Sequence, residues 1–428
     1  MLTVSHRPTT YRQAALGRAV TELVGGLLLA VLLPFFLRIL IEPVTASVPS
    51  QWNSGVGTAV ALLMGQVALK SLSRYPGTRA AYYVLPTFTV TYGTVLLIFF
   101  LFRFDYSRIQ FIASFLLCLG WYLWSASWRG AQGVLRVGVV PVGDVAGLTR
   151  LPGVTWRILP APDTPLHEVD AVVADLRADV PDAWERQLAE IALSGIPVYH
   201  HKQIRESLTG QVALEHLSEN NFGSLIPQFG YVTIKRVVDT AAALVTLAVL
   251  LPFLPAVAVA IKMDSAGPVF FRQERMGYRG HPFRVVKFRT MRDRRAQDAD
   301  DARQSAMTRS EDDRITRVGR FLRRTRIDEL PQIWNVLRGE MSWIGPRPEA
   351  VVLSRWYEGE LPFYRYRHIV RPGITGWAQV NQGHVTELDE VGAKLHYDFY
   401  YIRNFSLSLD ALIALRTVVT MLTGYGHR

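Results

Sequence analysis

Four long apolar stretches open the chain, at residues 19–41, more weakly around 56–69, then at 80–102 and 109–124. Each is near the roughly 20 apolar residues that a helix needs to cross a bilayer. The pattern predicts an α-helical bundle of four transmembrane helices over residues 1–130. The first stretch is longer than a signal-peptide core and has no small-residue cleavage site after it, which predicts a retained anchor. Arg7, Arg12 and Arg18 precede it, no Lys or Arg lies between Glu42 and Gly55, and Lys70, Arg74 and Arg79 follow the second stretch. Because Lys and Arg resist translocation, the N-terminus is expected on the cytoplasmic side. Arg103 and Arg108 run against the rule locally, but Arg129 and a basic remainder follow the fourth stretch, so four crossings return the chain to the cytoplasm.

From Leu135 the pattern changes to short β-branched runs, "LRVGVVPVG", "VTWRIL", "VDAVVADL" and "IPVYHH", separated by helix-like segments such as residues 182–194. This alternation predicts a small parallel α/β module, Rossmann-like, within residues 131–225, its pattern ending near Gly210. Gly138, Gly143 and Gly147 do not fit the G-x-G-x-x-G spacing that admits a pyrophosphate, so a structural or regulatory role is expected over cofactor binding. His200 and His201 have no companion cluster at metal-ligand spacing and read as surface or packing histidines with satisfied ring nitrogens.

A fifth apolar stretch, residues 237–261, is interrupted by "LPFLP", with Pro252 and Pro255 near its middle. Proline removes a backbone donor and clashes with the preceding turn, so a sharp break is expected at Pro252. Lys235 and Arg236 precede the stretch and Lys262 follows it, which favours both ends on one side. The pattern predicts a re-entrant helix-break-helix over 235–262; a kinked ordinary span is the competing reading and would place all that follows outside. A last apolar run, residues 407–422, includes Asp410 and reads as an amphipathic helix on the membrane or on a partner subunit.

With 428 residues, 49% hydrophobic content and a mean hydropathy of +0.14, the chain is too long for one ordinary domain and too polar to be all transmembrane. Its lone cysteine, Cys118, excludes an intrachain disulfide. A formal net charge of +11 suits nucleic acid, anionic lipid or a phosphorylated substrate, and charge alone does not choose among them.

Motifs do choose. "VVKFRTM" carries Lys287 and Arg289, "RFLRRTR" carries Arg320, Arg323, Arg324 and Arg326, and "GPRPE" and "VRPGITGW" add Arg347 and Arg371 in Gly/Pro turns. Guanidinium forks match phosphate oxygens in pairs, and turn glycines let backbone N–H groups approach, so a diphosphate fits here. A basic face held against anionic lipid explains some of these charges, but not the adjacent acids Asp328 and Glu329 among them. Pro331 suits a first helical turn, so "DELPQIWNVLRG" reads as a helix stopped at Gly339, with the acids at its positive end. Such acids also serve as ordinary caps. The surrounding arginines and the membrane hairpin favour chemistry: an ionised carboxylate can attack phosphorus, and its neighbour can hold Mg²⁺ against the diphosphate.

The segment from Lys235 onward, with "KRVVD", the proline-broken hairpin, "GPVFFRQERMG", "FRVVKFRTM", "IDELPQIWNVLRGEMSWIGPRPE" and "RPGITGWAQVN" in order, resembles the catalytic domain of the monotopic polyprenol-phosphate phosphoglycosyl transferases, the bacterial sugar transferase family. The whole chain resembles the large members, in which a four-helix bundle and an α/β module precede a mainly α catalytic domain, here residues 226–428. The resemblance implies that Asp328 attacks the sugar-proximal phosphate of a UDP-sugar, expels UMP and holds the phosphosugar until undecaprenyl phosphate takes it. Glu329 would assist with Mg²⁺, and Lys287, Arg289, Arg323, Arg347 and Arg371 would bind phosphates. Gln379 and Asn381 would belong to the sugar or nucleotide pocket. The implied setting is the cytoplasmic face of the bacterial inner membrane, as a homodimer without nucleic acid, initiating exopolysaccharide, capsule or O-antigen repeat units. After "WAQVN" the chain departs from the small members, with Gln382, Gly383 and His384 following Asn381, and the sugar stays open among glucose, galactose and N-acetylated sugars.

Two other readings carry distinct signatures. Asp298, Ala299 and Asp300 spell the Asp-x-Asp of metal-dependent glycosyltransferases, though their flanks are charged and solvated rather than an apolar strand. A non-enzymatic membrane sensor built on the α/β module would leave the acid pair without a task. Release of UMP rather than UDP separates the phosphoglycosyl transferase from both.

Overall fold

The apolar periodicity and proline and glycine breaks described above reappear as discrete elements in a computed structural model, which describes residues 10–41, 48–72, 80–131, 135–166, 169–212, 229–292, 314–382 and 388–423. Arg7, Arg74, Arg79, the Asp298 to Asp300 triplet, Gly383, His384 and the expected boundary at 225/226 lie outside the described residues. The chain divides into two compact units, Met1–Gly210 and Gln211–Arg428.

The first unit begins with the apolar helices. α1 (Thr10–Gly26) runs through a π-helical stretch, Leu27–Leu32, into α2 (Leu33–Ile41); α3 (Val48–Leu72), α4 (Ala80–Leu101) and α5 (Arg108–Ala131) follow. Among the described residues, four single helical segments are long and apolar enough to cross a membrane: Ala19–Leu40, Pro49–Leu72, Ala81–Leu101 and Arg108–Trp128. Small residues bring these helices together: a Cβ on Gly65 would sit 2.3 Å from the Phe88 ring, so only glycine permits that approach. Several polar groups pair between helices. Gln66 Nε2 donates to the Ala19 carbonyl at 2.9 Å while its Oε1 accepts from Tyr122 at 3.1 Å, and Ser125 donates to Glu22 at 2.8 Å. Large apolar side chains such as Leu40, Val67, Phe100 and Ile109 face outward, as lipid-facing positions do.

The four β-branched runs form β1 (Leu135–Val139), β2 (Val154–Ile158), β3 (Ala171–Ala174) and β4 (Val198–His200), a parallel sheet in the order β2-β1-β3-β4. α6 (Asp182–Leu193) covers one face, with Trp184, Leu188 and Ile191 packed on Val172 and Ala174. α7 (His201–Thr209) covers the other, with Ile204 against Val137, Val139 and Val173. β3 is buried along its whole length, the signature of a parallel strand covered on both faces. α7 stops at Gly210, whose φ of 69° is the left-handed cap expected of glycine.

The second unit opens with α8 (Phe229–Leu250) and α9 (Leu254–Asp264), which meet at a 65° bend. Pro252 lies in the three-residue break and Pro255 in the first turn of α9, where a missing N–H costs nothing. A hairpin follows, β5 (Phe270–Met276) paired antiparallel with β6 (Pro282–Phe288), then α10 (Arg317–Arg324), a 3₁₀ turn (Ile327–Gln332) and α11 (Ile333–Arg338). β7 (Ser342–Ile344) and β8 (Gly373–Thr375) form a short parallel pair, with α12 (Val351–Glu360) between them and α13 (Trp377–Asn381), α14 (Leu388–Arg403) and α15 (Leu407–Thr423) after them. Ala243 of α8, Val285 of β6, Ile333 and Val336 of α11 and Met341 share one core.

α15, expected as an amphipathic helix on a membrane or a partner, packs one side within its own unit and keeps Leu407, Val418, Val419 and Met421 exposed. Leu409, Leu412 and Ile413 are fully buried. Asp410 accepts from Lys235 at 2.6 Å, Tyr231 at 2.5 Å and Tyr401 at 2.9 Å, which fixes this helix within its own unit. The charge that sequence alone places on a polar face is neutralised internally.

Candidate active site

"IDELPQ" folds as a 3₁₀ turn rather than the first turn of an α-helix, and α11 continues it to Gly339, whose φ of 82° makes the stop. The turn is entered through Arg326, a non-glycine residue at φ 59°, a left-handed conformation that costs about 1 kcal/mol or more and is retained where surrounding structure enforces it. Asn335, 1% exposed, fixes the turn against the hairpin: its Oδ1 accepts from Val286 N at 3.1 Å and its Nδ2 donates to the Arg284 carbonyl at 2.8 Å. β6 thereby delivers Lys287 to the acids.

The two acids are buried, Asp328 at 8% and Glu329 at 7% exposure, yet they differ electrostatically. Glu329 Oε1 accepts from Lys287 at 2.9 Å and from Arg347 at 2.9 Å, and Arg326 lies 3.8 Å away. Burial would push the Glu329 carboxyl up, but Arg347, Lys287 and Arg326 outweigh it and hold it well below the usual range. Asp328 is raised instead, by burial first and by the Glu329 charge second. Its Oδ1 is buried with no hydrogen-bond partner among the described residues. Burial also pushes the Lys287 ammonium down, against the pull of Glu329, to about 8.

Arg347 is held by its backbone. Arg367 Nη2 donates to the Arg347 carbonyl at 3.0 Å and Arg275 Nη1 to the Pro348 carbonyl at 2.5 Å. Arg367 is anchored on Asp398 at 2.8 Å, and Glu349 on Lys394 at 2.5 Å. Burial first and the Arg347 charge second lower Arg275 to about 10. Sequence reading missed Asn335, Arg275, Arg367, Lys394 and Asp398. Arg275 was legible only as a charge on an alternating strand, and the others lie in helices whose partners are remote in sequence.

Of the expected phosphate ligands, Lys287 and Arg347 meet at Glu329, and Arg323 acts electrostatically on Asp328 while bonding Thr290 at 3.0 Å. Arg289 turns toward the end of α9, donating to the Ser265 carbonyl at 2.7 Å. Arg371 donates to the Gly339 carbonyl at 2.9 Å and stacks on Tyr278. Gln379 donates weakly to the Ile374 carbonyl at 3.4 Å with its Oε1 unpartnered, and Asn381 accepts from Arg416 at 2.6 Å. Ala256, Val257 and Ala260 of α9 and Val318 and Phe321 of α10 line an open apolar groove of about 480 Å³ that reaches Ile327, which precedes Asp328 in sequence.

Residues 230–424 match the family described as bacterial sugar transferase. Over 381 residues the chain is 45% identical to the UDP-N-acetylgalactosamine-undecaprenyl-phosphate N-acetylgalactosaminephosphotransferase of Aeromonas hydrophila, covering 88% of each chain. The chain belongs to the bacterial sugar transferase family. Other members match over less than half of the chain. The UDP-glucose:undecaprenyl-phosphate glucose-1-phosphate transferase of Xanthomonas campestris pv. campestris is 46% identical over 194 residues, 45% of this chain and 39% of that protein. The Escherichia coli protein of the same name is 42% identical over 187 residues, 43% and 39% of the two chains. The protein is accordingly an enzyme of the sugar phosphotransferase kind, and its four apolar helices are those of a membrane protein.

One histidine reading needs correction. Asp175, immediately after β3, supplies the companion that His200 and His201 lack in sequence, and His200 Nε2 and both His201 nitrogens are buried without hydrogen bonds. The pairing is invisible in the sequence because the 22 residues 176–197 form α6 and its connections before β4 returns beside β3.

Proposed function

We propose that this family member transfers a hexose 1-phosphate from a UDP-sugar to undecaprenyl phosphate in two displacements at Asp328, as the first step of a cell-surface polysaccharide repeat unit. The observation carrying this reading is the division of labour in the acid pair. Glu329 gives Oε1 to Lys287 and Arg347, whereas Asp328 keeps a buried oxygen without a partner, one residue after Ile327 at the edge of an apolar groove. A carboxylate whose basicity is raised by burial is the stronger nucleophile once deprotonated.

In the first displacement an Asp328 oxygen bonds to the sugar-proximal phosphorus as the bond from that phosphorus to the bridging oxygen breaks, and UMP departs with that oxygen. In the second, an oxygen of undecaprenyl phosphate bonds to the same phosphorus, and the acyl phosphate bond breaks to restore the carboxylate. Lys287, Arg347, Arg323 and Arg326 supply positive charge around the diphosphate and screen Asp328 from its substrate. Arg289 and Arg371 belong to this reading with a change of side-chain direction on binding, because both now bond backbone carbonyls. Gln379, with its free Oε1, and Asn381 are proposed for the sugar or nucleotide.

Mg²⁺ fits the donors present: Asp328 Oδ1 is open, and the cation contacts of Glu329 all fall on Oε1. Bound there, Mg²⁺ would neutralise the diphosphate and the departing phosphate.

The bent pair α8–α9 is proposed to enter one leaflet and return, so that the acids meet a soluble nucleotide and a lipid phosphate at one depth on the cytoplasmic face of the inner membrane. The Lys and Arg residues at both its ends support this. The parallel α/β module is proposed as Rossmann-like, and the chain as a homodimer with three parts, 1–130, 131–225 and 226–428. Because the Aeromonas relative matches across the bundle and module as well, N-acetylgalactosamine is the first donor sugar to test.

UDP-sugar labelled with ³²P on the sugar-proximal phosphate, incubated without lipid acceptor, tests the covalent step. Protein-bound label in the wild type and none in Asp328→Asn supports it; label retained in Asp328→Asn, or none in an active wild type, contradicts it.

A further inference from the structure

We propose that Asp175, His200 and His201 form a binding site for a divalent transition metal of the zinc kind in the α/β module, separate in chemistry from the acid pair. The register of the sheet creates the site. Ala174 pairs with His200 across adjacent parallel strands, so β3 and β4 end together and the next residues, Asp175 and His201, leave the sheet at the same edge. Ligands collect at this edge in open parallel sheets.

The separations suit coordination better than direct bonding. Asp175 Oδ1 lies 3.5 Å from His200 Nε2 and 3.4 Å from His201 Nδ1, beyond ordinary hydrogen bonds. With metal–nitrogen and metal–oxygen bonds of about 2.0–2.2 Å, the edge of a tetrahedron is roughly 3.3–3.6 Å. One ligand atom from each of the three residues lies within 4.8 Å of the others, so a small inward movement completes the third edge. His201 is 2% exposed with both ring nitrogens unpartnered, an arrangement that is expensive to keep without a ligand.

The carboxylate is already oriented. Asp144 N donates to Asp175 Oδ2 and Arg177 N to Oδ1, each at 3.1 Å, which leaves Oδ1 its second lone pair toward the rings. Gly143, at φ 73°, admits the close approach of this loop, since a Cβ there would sit 2.5 Å from Asp175 Oδ2. His200 Nδ1 now accepts the Lys202 N–H at 3.2 Å, capping α7. Ligation through Nε2 shifts the ring proton to Nδ1 and gives up that long cap bond. Two imidazoles and one carboxylate suit zinc, cobalt, nickel or ferrous iron rather than magnesium, and leave a fourth position for water or an exogenous ligand. Arg177, Lys202 and Arg205 oppose a cation here and Asp144 favours it, so the metal is expected to exchange with chelators rather than be locked in.

The test is Co²⁺ titration of untagged, full-length protein in detergent, followed by visible absorption. One equivalent with the intense bands of a low-coordinate nitrogen-ligated cobalt site, displaced by Zn²⁺ and not by excess Mg²⁺, is expected. Asp175→Asn and His200→Ala should each weaken binding at least tenfold while circular dichroism stays unchanged, and Asp328→Asn should leave the spectrum intact. Absence of the bands in wild type, or their survival in both Asp175→Asn and His200→Ala, overturns the proposal. Loss of the spectrum in Asp328→Asn alone would assign the metal to the acid pair and overturn it as well.

Discussion

The Lys287 ammonium lies 2.9 Å from Glu329 Oε1, reaching across from β6 to a residue 42 positions later. Adjacent in sequence, the two acids therefore occupy different electrostatic environments.

Asp328→Asn preserves shape and removes the proposed nucleophile. Turnover is expected to fall about 10³-fold or more, with the thermal midpoint unchanged or slightly raised because a buried carboxyl with a raised pKa is lost. Parallel rate and melting measurements check it; an active Asp328→Asn enzyme would remove the nucleophile from the account.

Glu329→Gln leaves the Lys287 and Arg347 charges buried without their carboxylate, an uncompensated state that costs about 3–5 kcal/mol. Glu329, held well below its ordinary value, contributes stability that is complete above its unfolded value of about 4.3 and is lost as pH falls through the depressed folded value. In a melting series from pH 7 to 3 the gap between wild type and Glu329→Gln should therefore be constant above about pH 5 and narrow progressively below about pH 4. The variant also removes a negative neighbour that raises Asp328, so the acid limb of its residual kcat/KM should move to lower pH. A limb that stays in place would disconnect the two acids.

Lys287, lowered to about 8, loses its ammonium well before an ordinary lysine near 10.4. Activity is predicted to decline above about pH 8, and Lys287→Arg, whose guanidinium does not titrate there, should move that decline upward. An identical alkaline limb in both enzymes would assign it to another group.

The bent pair makes a topological prediction. Met263, 83% exposed at the end of α9, takes a cysteine in a Cys118→Ser background. An impermeant maleimide should label Met263→Cys only after permeabilisation of spheroplasts. Labelling of intact spheroplasts would make α8–α9 a kinked span.

Much of this was legible in the chain because the signals are local. Apolar runs near 20 residues, alternating β-branched strands and prolines each act within a few residues, and all appear as helices, strands and a 65° bend. The acids, Lys287 and Arg347 were legible as charges, but their division was not. It depends on Asn335 tying α11 to β6 and on Arg367 and Arg275 holding the 347–348 carbonyls, contacts spanning up to 73 positions. Asp410 and the Asp175 cluster escaped for the same reason, since periodicity does not encode which remote charge a buried one will meet.

The most direct test of the central claim is product analysis with purified enzyme, Mg²⁺, undecaprenyl phosphate and UDP-N-acetylgalactosamine among a panel of UDP-sugars. UMP is expected in equal amount to a polyprenyl diphosphate sugar, with no UDP. Release of UDP with a polyprenyl monophosphate sugar would mean attack at the sugar carbon rather than at phosphorus, and would contradict it.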